Sequence, residues 1–100
     1  EAARVLAQRM MRDGGADSRE RLAFAFRLVT ARSPNDAELD ILHKQWAFHV
    51  ERFAQAPDDA RQLVQFGEWP VDGSLPIVEW AAFTMTANTL LNLDETLNRN

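Results

Sequence analysis

A chain of 100 residues, 46% hydrophobic and 26% charged, has the make-up of one small globular domain and can bury roughly two thirds of the surface its unfolded form exposes. Fifteen acidic against eleven basic residues leave a net charge of −4, which argues against the basic stripe that nucleic-acid phosphates demand. There is no cysteine, so disulfides, thiolate metal sites, cysteine nucleophiles and covalently attached c-type haem are excluded.

The sequence opens at Glu1 inside a helical pattern and reads as a piece of a longer protein. No signal peptide pattern is visible. In the first segment, Glu1 to Arg12, the spacing of Val5, Leu6, Met10 and Met11 predicts a helix with a narrow apolar stripe. Asp13-Gly14-Gly15 stops it. Asp17 with Glu20 has capping-box spacing and opens a second helix. Its apolar face is Leu22, Ala25, Phe26 and Val29, widened by Phe24 and Leu28. Ala31-Arg32 ends it, and Ser33-Pro34 reads as cap and first residue of a third helix.

Leu39, Leu42, Trp46, Val50 and Phe53 form the inner stripe of that third helix, while Ile41 and Phe48 lie off the stripe and suggest cover on two sides. Ala56-Pro57 breaks the pattern. Asp58 and Asp59 favour the positive start of a fourth, short helix whose inner residues are Ala60, Leu63 and Val64, with Gly67 as its stop. Residues 67–75 read as a loop, Ser74 as a cap, and Pro76 as a first-turn residue of a last helix running to about Leu93. From Trp80 to Leu93 that helix carries no charge, which places it at the centre of a bundle. Thr84, Thr86, Asn88, Thr89 and Asn92 dilute it, and no basic flank anchors it, so it does not read as a membrane span. No period-two alternation signals a strand.

Few residues point to chemistry. His43 and His49 are six positions apart, about 600° of helix rotation, and cannot hold one metal from one face. Ser18, Ser33 and Ser74 each sit at a helix start, where capping accounts for them, and no base is evident beside any of them. Arg32 and Glu38 are close enough around the Ser33-Pro34 turn to pair. Trp46 and Trp80 read as core. Trp69, in the loop before Pro70, reads as a plug for the bundle end or as an outward anchor. Asn88 and Asn92, one turn apart, are expected to tie the last helix to loop backbone. Asp94 and Glu95 fall at a helix end, where acids oppose the macrodipole unless the helix has stopped or a base compensates.

Two stretches carry a family resemblance. One is Phe26-Arg27-Leu28-Val29-Thr30-Ala31-Arg32-Ser33-Pro34 followed by Ala37-Glu38-Leu39. The other is Gly67-Glu68-Trp69-Pro70-Val71-Asp72, then Glu79-Trp80-Ala81-Ala82-Phe83-Thr84 and Ala87-Asn88-Thr89-Leu90-Leu91-Asn92-Leu93-Asp94-Glu95-Thr96. They resemble the C-terminal part of the planctomycete-associated family catalogued as domain of unknown function 1553. The resemblance implies a setting: large multi-domain, exported or cell-envelope proteins that also carry cytochrome-c-like modules. Any haem would then lie elsewhere in the parent protein, with no cofactor or metal in this segment. It brings no catalytic residues to carry over.

The expectation is an all-α bundle of four to five helices around a central C-terminal helix, forming one domain. Its expected role is a non-catalytic structural or protein-interaction module whose partners are the other domains of its parent, with no nucleic acid and no membrane span. Trp69, Asp72, Asn92 and Asp94 are the candidate interaction surface. The alternative is part of an active site completed by a region N-terminal to this one, with the Asp94-Glu95 end and the Trp69–Asp72 loop as its contributions. A weaker third reading is docking of an electron-transfer partner on the acidic second half, where residues 51–100 hold three bases and eight acids.

Overall fold

The helical periodicities become five helices: α1 (Ala2–Asp13), α2 (Ser18–Thr30), α3 (Asp36–Gln55), α4 (Pro57–Gln65) and α5 (Ile77–Leu97). The computed structural model describes residues 2–65 and 74–97, with side chains up to position 94. No strand occurs among the described residues. The all-α bundle is therefore the architecture of the chain, and its Cα radius of gyration of 12.9 Å matches the ~13 Å expected of a folded chain this long.

The charge-poor helix is the hub. α5 packs against each of the other four helices. Trp80, Ala81, Ala82, Phe83, Thr86 and Ala87 on it are fully buried. Alanines let neighbouring backbones approach closely, and Trp80 and Phe83 fill the space between them. The buried hydroxyls need no outside partner: Thr84 donates to Trp80 O at 2.8 Å and Thr86 to Ala82 O at 3.1 Å, each one turn back along the same helix. Asn88 and Asn92 are exposed, and most of the 67–75 loop they were expected to tie lies outside the described residues. α5 also runs one turn past Leu93, so Asp94 stands within its last turn and does not cap a following one.

The helix ends follow the sequence with corrections. Asp17 caps α2 by accepting from Glu20 N at 2.8 Å, but Glu20 reaches back to Ala16 N, not to Asp17 N, so only half of the box forms. α3 is capped by Asn35 in place of Ser33. Asn35 Oδ1 accepts from Glu38 N at 2.8 Å and Glu38 Oε1 accepts from Asn35 N at 3.0 Å, a complete capping box. Asn caps as well as Ser, and only Asn35 has a glutamate at the third helical position. Pro76 stands just before α5, its carbonyl accepting from Trp80 N at 2.9 Å, so neither Ser74 nor a proline inside the first turn begins that helix. At the end of α2, Ala31 adopts a left-handed φ of 62° and donates its N–H to Arg27 O. Gly14 has no room for a side chain, since a Cβ there would collide with Met10 O and sit 3.1 Å from Arg21 Cα.

The face of α1 differs from the expected stripe. Ala3, Arg4, Ala7, Met10 and Met11 are buried, and Val5 and Leu6 only half so. Small alanines draw α1 against α5, and Arg4 enters with them at 2% exposure. Its guanidinium lies 5.9 Å from the Trp80 ring centre and donates to Val64 O at 3.0 Å, in the last turn of α4. Trp80 Nε1 in return donates to Arg4 O at 3.1 Å. In α2, Leu28 is 46% exposed and does not widen the core face. In α3, Leu42 and Phe53 are buried, while Leu39, Trp46 and Val50 are half-buried. The Trp46 ring packs 5.1 Å from that of Phe83. Ile41 and Phe48 are bare to water, so α3 is covered on one side and not two.

Arg32 and Glu38 pair as expected: Nη1 and Nη2 of Arg32 donate to the two carboxylate oxygens at 2.9 and 2.7 Å. The same guanidinium lies 4.9 Å from the Phe26 ring centre, so one residue links the α2 core face to the start of α3. The Arg32 hydrogen bonds, followed by the Asn35 N–H, hold the Glu38 carboxyl down to about 2 from an ordinary 4.5. A carboxyl depressed in the folded state contributes fully above its unfolded value and loses that contribution as pH falls towards the folded one. Glu38→Gln should therefore flatten the acid decline of the melting temperature between about pH 4.5 and 2; an unchanged decline would show that the clasp contributes nothing. Trp80→Ala should cost about 3–5 kcal/mol in denaturant unfolding, far more than any surface substitution. A loss below about 1 kcal/mol would remove Trp80 from the centre of the core.

Candidate functional site

Of the residues singled out in the sequence, α5 carries Asn92 and Asp94. Asn92 is exposed and Asp94 half-buried. Two positions apart on a helix, they are separated by about 200° and face different sides. Trp69 and Asp72 lie outside the described residues. The polar and apolar features that stand out lie instead on α3.

The first is its outer face. Ile41 is 59% and Phe48 62% exposed. Seven positions apart, they lie on one line along the helix, about 10 Å from one another. Phe48 borders an open depression of about 310 Å³ shared with Glu51, Arg52 and Gln55. An apolar ring between an acid, a base and an amide can take a partner's apolar side chain while the rim pairs with polar groups.

The second is the seam between α2 and α3. Ser18 is the first residue of α2, and because Asp17 does the capping, its hydroxyl is spare. It meets His43 Nε2 at 3.1 Å. Beside it, Arg19 Nη1 donates to Asp40 Oδ1 at 2.9 Å, so adjacent residues of α2 engage residues one turn apart on α3. His43 also leans on Trp46, ring centres 5.6 Å apart. A base thus does stand next to one of the serines, against the sequence reading. The pairing spans 25 positions, and the signal available was only that Ser18 follows a residue already able to cap.

The histidines behave as two separate groups. His43 joins the seam. His49 sits one turn after Trp46, its ring edge-on to Phe48 at 5.5 Å, and its Nδ1 is buried without a hydrogen-bond partner. Burial, and then the charge of Arg52, lower its pKa from 6.5. Among the described residues, no group of three or more His, Cys, Asp or Glu side chains could hold a metal ion. No described helix is long and apolar enough to cross a membrane.

No family model matches the chain, and neither a curated protein nor a solved structure is similar to it at a significant level.

A histidine held neutral by burial favours the folded state most above its unfolded pKa. That advantage drains as pH falls below 6.5 and through the lower folded value. His49→Leu should therefore lessen the drop in melting temperature on going from about pH 7 to pH 5, measured by circular dichroism. An equal drop in variant and parent would place the sensitivity elsewhere.

Proposed function

We propose that this chain is a structural or protein-interaction helical module of a larger cell-envelope protein, with the other domains of that protein as its partners. The outer face of α3 carries the reading. Single exposed apolar residues are ordinary, but Ile41 and Phe48 form a line on one helix, with Phe48 set in a depression rimmed by Glu51, Arg52 and Gln55. Burying either side chain against a partner would gain about 1.5–3 kcal/mol. The charges flanking them, Lys44, Glu51 and Arg52, are of both signs, which suits a mixed protein surface better than a polyanion. The envelope setting and its cytochrome-c-like neighbours rest on the resemblance of the Gly67–Asp72 and Ala87–Thr96 stretches to the planctomycete-associated family.

The bundle's interior supports an architectural role as well. Several of its buried polar groups bond within the bundle: Arg4 to Val64 O, Trp80 to Arg4 O, and the threonines of α5 to their own helix.

The test uses the full-length parent. Replacing Ile41 and Phe48 together by serine should leave the module's own unfolding free energy within about 0.5 kcal/mol per site. In the parent, α3 amides should lose protection from hydrogen exchange and the module should be released sooner by limited proteolysis. Unchanged protection and release would dismiss the docking face.

A further inference from the structure

The Ser18–His43 contact has the form of an activated nucleophile. A serine hydroxyl is unreactive alone and becomes nucleophilic when an imidazole nitrogen within about 2.6–3.2 Å can take its proton. Ser18 Oγ lies 3.1 Å from His43 Nε2. Both residues are half-buried, so the pair is held in place yet reachable from solvent. Capping does not use the Ser18 hydroxyl, because Asp17 Oδ1 takes the Glu20 N–H. The Arg19–Asp40 ion pair at 2.9 Å fixes the two helices beside the contact.

The backbone completes the arrangement. The first N–H groups of a helix have no carbonyl within it to bind. In α2, those of Glu20 and Arg21 go to the side chain and carbonyl of Asp17. Those of Ser18 and Arg19 remain at the positive end of a 13-residue helix, next to Oγ. A helix start favours negative charge, such as an oxyanion formed on an acyl group attached to Ser18.

We propose that Ser18 is an acylatable nucleophile with His43 as its general base, reacting with small activated acyl esters. With the imidazole proton on Nδ1, the Ser18 hydroxyl gives its proton to Nε2 as Oγ bonds to the ester carbonyl carbon. The carbon–oxygen bond to the alcohol then breaks, and the alcohol leaves with the proton from Nε2. Water, deprotonated by the same nitrogen, then attacks the acyl-serine; the bond from the acyl carbon to Oγ breaks, Nε2 returns the proton to Oγ, and the carboxylic acid leaves. The site lies on the inner flank of α3, about 200° around the helix from Ile41, so it is independent of the docking face.

The probe is an alkyl fluorophosphonate, which phosphonylates an activated serine with loss of fluoride, followed by peptide mapping. The intact chain should be labelled at Ser18. Ser18→Ala should abolish the label, and His43→Gln should slow it by roughly 10²-fold or more, while Ser33→Ala leaves the rate unchanged. Hydrolysis of p-nitrophenyl acetate should show the same ranking. Should His43→Gln not fold, carbethoxylation of His43 in a His49→Gln background must suppress labelling of the folded chain instead. Labelling equal in rate with and without His43, spread over Ser33 and Lys44, or absent would overturn the proposal.

Discussion

Trp80 has no exposure to solvent, and an indole N–H cannot be left unbonded at that depth without a cost of about 1–3 kcal/mol. The residue that satisfies it is Arg4, through its carbonyl, and Arg4 is itself almost wholly buried. Removing a guanidinium from water costs several kcal/mol unless other groups replace the lost hydration. Here the Trp80 ring face and the Val64 carbonyl do part of that. The Val64 carbonyl belongs to the last turn of α4, where helix carbonyls lack partners and a positive charge is favoured. One residue therefore joins α1, α4 and α5 through both its backbone and its side chain. An ammonium would offer no planar group to lie near the indole ring, so lysine would not reproduce the junction.

Around that junction, α5 takes the interior for itself. Its threonines bond their own helix, its alanines admit neighbours, and the remaining helices are arranged by what they can bury against it. The price of a hub this complete is that the rest of the chain has surface to spare. α3 presents one side to α5 and leaves Ile41 and Phe48 in water, and its flank meets α2 through polar side chains. The exposed Ile41–Phe48 line and the polar contacts with α2 thus lie on different sides of the same 20-residue helix.

What the sequence disclosed was what depends on neighbours in the chain. The charge-free run from Trp80 to Leu93 announced a central helix, Gly14 an end, and Arg32 with Glu38 a clasp. The choice between Ser33 and Asn35 as cap turned on a reciprocal bond that spacing permits at both the α2 and α3 starts but geometry completes only at α3. The burial of Arg4 was illegible, since a charge on a short helix reads as surface, and its partners are 60 and 76 positions away. The same holds for Ser18 and His43. The exposure of Ile41 and Phe48 was misread because apolar residues off a stripe signal a second contact, whether that contact lies within the chain or beyond it.

Ala31 turns the corner between α2 and α3 with a left-handed backbone that suits glycine and costs an L-residue roughly 1 kcal/mol. The side chains on either hand, Phe26 beneath Arg32 and Glu38 beyond it, keep the joint wound against its preference. The elbow is thus sprung: tension resides there while the two arms stay clasped, and an unfolding chain would relax it as soon as they part. Such a joint ties the geometry of the α2–α3 corner to the side chains of Phe26, Arg32 and Glu38 that flank it.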